Sequence, residues 1–140
     1  MYAHGLIGPV LALVAWTFVM WVWMYATRIP AIRKAGIDPS KIKQKSDLDV
    51  LPMRVRQVAD NYNHLHEQPV IFYALLTYCY LSGAVDSFNV FLAWSYVGIR
   101  VVHSLIQCTI NYVPARFTVF ALGSLALFVI TVRCVIALVR

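Results

Sequence analysis

Long apolar segments without any charged residue run through most of this chain. Residues 1–27 contain no Asp, Glu, Lys or Arg, and residues 68–85 contain none either. A helix that crosses the hydrocarbon core of a bilayer needs about 20 mostly apolar residues. These segments therefore predict membrane-spanning helices rather than the core of a water-soluble domain.

The apolar pattern predicts an all-α integral membrane protein made of one domain, residues 1–140. We expect four transmembrane helices at about 5–27, 55–84, 87–112 and 116–138. Asp86 marks the turn between the second and third spans, and Pro114 separates the third from the fourth. Only 13% of the residues are charged, against roughly 25% in soluble domains, which agrees with a surface that faces lipid.

The positive charges predict how the chain lies in the membrane. Eight of the twelve Lys and Arg residues lie between Arg28 and Arg56, and an excess of these residues marks cytosolic loops. The basic loop 28–54 is therefore expected in the cytosol against anionic lipid, with both termini outside it. Too few cations lie elsewhere to favour nucleic-acid binding. No cleavage motif follows the first span, so we interpret it as a retained helix in a bacterial inner membrane.

Polar residues form two stripes at helical spacing in the second and third spans. The spacings are i, i+4, i+7, i+11 and i, i+3, i+7, i+11, so each set occupies one helix face. In the predicted orientation both stripes lie at the cytosolic end, beside Arg116 at the start of the fourth span. The stripes consist of Arg56, Asp60, Asn63 and Glu67, and of Arg100, His103, Gln107 and Asn111.

Polar groups inside a span are costly and usually face a bundle interior or a cavity. The excess of arginine predicts an anionic guest, because the guanidinium fork matches carboxylate geometry. Other interpretations remain open: Arg56 and Asp60 as a surface ion pair, Arg100 paired with Glu67, and Asn63 and Gln107 as contacts between helices.

Histidine and cysteine give no sign of a metal site. His64 and His66 point to different faces of a helix, so one ion could not readily take both together with Glu67. Cys79, Cys108 and Cys134 lie in apolar runs without a pairing pattern. Such cysteines behave as small hydrophobic residues, and neither a disulfide framework nor zinc is predicted.

Two segments carry a resemblance to a known family. The segment RQVADNYNHLHEQPVIF (residues 56–72) resembles the second-helix signature of the MAPEG family, the membrane-associated proteins in eicosanoid and glutathione metabolism. The segment RVVHSLIQ (residues 100–107) is similar to the family's third-helix pattern, and Arg116 stands where the family has an Arg at the start of its fourth helix.

The resemblance implies a left-handed four-helix bundle that assembles as a homotrimer. It also implies glutathione as cosubstrate, bound between subunits at the cytosolic end, and an apolar second substrate that enters from the bilayer. Arg116 would stabilise the thiolate and Gln107 would donate to the sulfur. The remaining polar residues would hold the peptide; they are Arg56, Asn63, Glu67, Arg100 and His103.

The chain departs from the family pattern at three positions. His66 stands where catalytic members place a Glu three residues after the Asn, Ala59 replaces a second-helix Arg, and Gln107 replaces a Tyr. The resemblance therefore leaves two functions: a glutathione-dependent transferase or peroxidase acting on lipophilic electrophiles, or a non-catalytic member that binds lipid or serves as a subunit of a larger membrane complex. A transporter is less favoured, because residues 87–99 contain no Asp, Glu, His, Lys or Arg to line a path.

Overall fold

The computed structural model describes residues 3–140, and it is all-helical over that range. Met1 and Tyr2 of the predicted domain lie outside the described residues. Short 3-10 turns at Pro39–Lys41 and Lys45–Leu48 interrupt the basic loop. The five α-helices are α1 (Ala3–Lys34), α2 (Met53–His64), α3 (Gln68–Ser82), α4 (Ser87–Cys108) and α5 (Val113–Leu138).

Three of these helices are long and apolar enough to cross a membrane. They are α1, α4 and α5, which contain most of the predicted spans 5–27, 87–112 and 116–138. Large apolar side chains such as Phe18, Leu81 and Phe128 point outward, with 62%, 78% and 64% of their surface exposed. Water would penalise such a surface, whereas a bilayer accepts it.

The predicted second span, 55–84, is not one continuous helix. α2 ends at His64, and α3 begins at Gln68 with Pro69 in its first turn. Proline has no amide hydrogen, and its ring clashes with the carbonyl four residues earlier, so a continuous helix through Pro69 would be broken there. In the first turn of a new helix neither defect matters. Glu67 therefore does not continue the polar stripe of α2, as the sequence had predicted, but precedes α3.

Small residues allow the long helices to pack closely. A Cβ atom at Gly8 of α1 would lie 3.0 Å from the Trp94 ring of α4, and one at Gly123 of α5 would lie 3.3 Å from Ile99 of α4. Between helices, Phe72 of α3 stacks on Tyr96 of α4 with 4.7 Å between ring centroids. Close backbone approach through small residues is the usual way in which membrane helices associate.

The two ends of the bundle are held by different polar contacts. At the loop end, which carries residues 35–52, Gln57 of α2 donates to the carbonyls of Cys108 and Thr109 at 3.1 and 3.2 Å. These two hydrogen bonds join the start of α2 to the end of α4. At the opposite end, which we call the far end, Arg133 of α5 donates to Asn89 at 2.8 Å and forms an ion pair with Asp86.

The basic loop is ordered by a side chain that accepts two backbone hydrogen bonds. The amides of Lys43 and Gln44 donate to the Asp47 carboxylate at 2.9 and 3.1 Å. These donors, Lys43 first, hold the pKa of Asp47 below its ordinary value of 3.8. The carboxylate form is therefore the one that orders the turn.

We predict that Asp47→Ala loosens this loop. Without the carboxylate, the two amides lose their acceptor, and hydrogen exchange over residues 43–49 should rise several-fold in detergent-solubilised protein. Because the folded pKa is depressed, the stabilisation is complete above the ordinary pKa and is lost as the pH falls through the folded value. Lys43→Ala is the matched control, since it keeps the donating amide. Equal exchange in both variants would contradict the assignment.

Candidate functional site

A cleft of about 390 Å³ opens at the side of the bundle near the loop end. The wall formed by α5 is apolar except for Arg116. The opposite side is polar and is built from the end of α2, the start of α3 and the second half of α4. Its lining residues are His64, Glu67, Gln68, Arg100, His103, Val113, Arg116, Phe117 and Phe120.

Arg100 is the most deeply placed charged group of the cleft. Only 3% of its surface is exposed, and its Nε atom has no hydrogen-bond partner. Among residues 3–140, the ion pairs are Lys45–Asp60, Arg56–Asp49 and Arg133–Asp86, so Arg100 belongs to none of them. Glu67 therefore forms no direct ion pair with Arg100 within a single chain, although both residues line the cleft.

Arg116 is held at the mouth of the cleft by the turn between α4 and α5. Its guanidinium donates to the Asn111 side chain at 2.6 Å, while its Nε atom is buried without a partner. Asn111 has a φ of 50°, a left-handed conformation that asparagine adopts more readily than most residues. The turn thus fixes one side of the Arg116 guanidinium and leaves other donors free.

Histidine and glutamine side chains form a second polar layer. Nδ1 of His64 lies 3.2 Å from Oε1 of Gln107. Gln107 is only 2% exposed and does not line the cleft. His103 does line it, with its Nδ1 buried and unpartnered and its ring 6.4 Å from that of Phe120.

Gln68 is a site residue that the sequence reasoning missed. Its amide donates to Ser124 of α5 at 2.7 Å, and its carbonyl accepts from the Tyr96 hydroxyl of α4 at 3.2 Å. It therefore ties three helices together beside Arg100. The signal that could have revealed it is a polar side chain directly before Pro69 at the start of an apolar run.

Two of the predicted glutathione contacts lie away from this cleft. Arg56 is half-buried and lies 3.9 Å from Asp49, and Asn63 is exposed; neither lines the cleft. The structure thus brings together four of the seven predicted site residues, namely Glu67, Arg100, His103 and Arg116.

The positions that depart from the family pattern have distinct surroundings. Ala59 is buried in the core with 4% exposure. His66 is exposed, and its Nδ1 donates to the Tyr62 carbonyl at 2.9 Å. It lies along a groove beside α1 rather than in the cleft. Glu67, one residue later, is the carboxylate that faces the cleft.

The arrangement suits an anionic, partly apolar guest. The lining contains two guanidinium groups and one carboxylate, that of Glu67, and Phe117 and Phe120 of α5 add an apolar surface. Buried arginine donors without partners are costly unless an acceptor occupies them. Within residues 3–140, no group of three His, Cys, Asp or Glu side chains is arranged to hold a metal ion.

Comparison with known proteins agrees with this architecture. The sequence profile of the MAPEG family matches residues 6–136. No curated protein and no solved structure shows significant similarity to the chain. Because the profile spans nearly the whole chain and the helices are long and apolar enough to cross a bilayer, this protein is an integral membrane protein that belongs to the MAPEG family.

Proposed function

We propose that this protein is a glutathione-dependent transferase or peroxidase that acts on lipophilic electrophiles. The observation that carries the proposal is Arg100, a buried guanidinium without an ion partner, in a cleft that also holds Arg116 and an apolar wall. Glutathione offers carboxylates that would satisfy such a guanidinium, and its thiol supplies the nucleophile when it is bound.

Each group of the cleft has a definite task in this proposal. Arg100 would bind a carboxylate of the tripeptide, because its unpartnered Nε requires an acceptor. Arg116 would favour the thiolate, since a nearby cation lowers the pKa of a thiol. Phe117 and Phe120 would receive the apolar substrate, which dissolves in the bilayer and needs no aqueous route.

The assembly and its location are also proposals. We propose a left-handed four-helix bundle that assembles as a homotrimer. Such a trimer would bring Arg56 and Asn63, which lie outside the cleft of their own chain, within reach of glutathione bound between subunits. By the positive-inside rule, the loop end would face the cytosol of a bacterial cell and both termini would lie outside it. Membrane lipid would surround the outward-facing apolar residues.

One set of contacts favours a second candidate function, a non-catalytic MAPEG protein that binds lipid or forms part of a larger membrane complex. Gln107, at the position of the family's Tyr, is turned toward His64 and does not line the cleft. Ala59, at the position of a family Arg, is buried and has no charge. Such a protein would bind an anionic lipid or a partner at Arg100 without activating a thiol.

We expect Arg116→Ala to abolish thiolate formation while leaving the fold intact. Glutathione added to purified wild-type protein near neutral pH should produce the ultraviolet absorbance of a thiolate. In the variant this absorbance should fall by at least about tenfold, because the stabilising cation is gone. Arg133→Ala, at the far end, is the matched control and should keep the signal.

Two outcomes of this experiment would redirect the proposal. Equal thiolate signals from wild type and Arg116→Ala would contradict the role given to Arg116. Binding by calorimetry without any thiolate absorbance in wild type would favour the non-catalytic candidate.

We also predict that the two membrane arginines respond oppositely to replacement. Arg100→Met should leave unfolding in detergent unchanged or stabilise the protein by about 1–4 kcal/mol, since it removes an uncompensated buried charge. Arg133→Met should destabilise it by about 1 kcal/mol, because it removes an ion pair and a hydrogen bond that are partly exposed.

Thermal unfolding with and without glutathione tests this pair of variants. Glutathione should raise the Tm of wild type and of Arg133→Met, but not that of Arg100→Met. If Arg100→Met unfolds readily in the absence of ligand, then Arg100 has a structural partner, and the argument for a free anion site is lost.

A further inference from the structure

Two of the three cysteines meet inside the bundle. Sγ of Cys79 lies 3.2 Å from Sγ of Cys134. Cys79 belongs to the last two turns of α3, and Cys134 occupies the same part of α5 near the far end. Both are free thiols, with 0% and 5% of their surface exposed. These two sulfurs therefore need to approach by only about 1 Å to reach bonding distance.

The third cysteine shows that this arrangement is not a general property of the cysteines in this chain. Cys108 is also buried, with 7% exposure, but it lies near the loop end, at the last residue of α4. Among residues 3–140, the sulfur–sulfur contact involves only Cys79 and Cys134. Cys108 thus serves as an internal control for burial without a neighbouring thiol.

We propose that Cys79 and Cys134 form a reversible disulfide that joins α3 to α5 when the membrane contains lipophilic hydroperoxides. This modification site lies at the far end, away from the cleft residues. Hydroperoxides of apolar compounds dissolve in the hydrocarbon layer, so they reach this depth without crossing the polar groups of the loop end.

The oxidation proceeds in two balanced steps. Sγ of Cys134 attacks the outer oxygen of the hydroperoxide; an S–O bond forms, the O–O bond breaks, and the thiol proton passes to the departing alkoxide. Sγ of Cys79 then attacks the resulting sulfenic acid; the S–S bond forms, and the departing hydroxide takes the second thiol proton. In sum, two thiols and one hydroperoxide give a disulfide, an alcohol and water.

The difference in exposure assigns the order of the two thiols. Cys134 has a small exposed surface, whereas Cys79 has none. An oxidant in the bilayer therefore reaches Cys134 first, and Cys79 acts as the resolving thiol. A thiol supplied later would reverse the reaction by exchange.

The location of the bond gives it a consequence for the cleft. α3 contributes Gln68 and α5 contributes Phe117 and Phe120 to opposite sides of that cleft. The hydrogen bond from Gln68 to Ser124 links the same two helices, and a disulfide would add a covalent link nearer the far end. Restricting the separation of α3 and α5 would alter glutathione binding. This consequence rests on the proposed function, whereas the formation of the disulfide is independent of it.

The test exposes purified protein in detergent, without glutathione, to cumene hydroperoxide. The protein is then denatured and alkylated with N-ethylmaleimide, and its intact mass is measured. Wild type and Cys108→Ala should each lose two alkylation sites relative to untreated samples, and a reducing agent should restore both. Cys79→Ala should instead accumulate a sulfenic acid at Cys134, which dimedone traps, while Cys134→Ala should give little dimedone adduct at Cys79.

Several results would overturn the proposal. Wild type that keeps three alkylation sites after treatment would show that the disulfide does not form. A disulfide that involves Cys108, or equal dimedone trapping at Cys79 and Cys134 in the single variants, would contradict the pairing or the order. Elution of every variant at the wild-type position in gel filtration establishes that the comparison concerns folded protein.

Discussion

A guanidinium group enclosed among membrane helices is costly unless a carboxylate, backbone carbonyls, water or an anionic ligand satisfies it. Arg100 has 3% of its surface exposed and no ion partner among residues 3–140. Arg133, which lies in α5 near the far end and is partly exposed, has both Asp86 and Asn89 as partners. Arg100 and Arg133 therefore differ in their partners although both belong to the same helical bundle. In the proposed function, the charge at the loop end is kept free for an anionic ligand, which would offset the cost of burying an unpaired cation.

The fold around this group depends on where helices end as much as on where they run. The break before Pro69 starts α3 at Gln68, so that this side chain and Glu67 reach the cleft. The left-handed Asn111 ends the turn after α4 and holds Arg116 at 2.6 Å. Gln57 fastens the start of α2 to the end of α4. Each of these hydrogen bonds satisfies a polar side chain that would otherwise lie among apolar residues without a partner.

Much of this arrangement could be predicted from sequence, because apolar length and helical spacing depend on local composition. The spans in α1, α4 and α5 are examples, and so is the face shared by Arg100 and His103. Contacts that depend on how one helix is rotated against another could not be predicted. Three contacts are of this kind. They are the contact of Gln107 with His64, the sulfur contact between Cys79 and Cys134, and the hydrogen bonds of Gln68 to α4 and α5.

The most direct test of the account is a crystal structure of the assembled protein in lipid with glutathione. We predict a carboxylate of the tripeptide within hydrogen-bonding distance of the Arg100 guanidinium, and its sulfur beside Arg116. A structure in which a protein carboxylate, from Glu67 or from a neighbouring subunit, neutralises Arg100 while glutathione lies elsewhere would contradict the central claim that Arg100 is kept free to bind an anionic ligand.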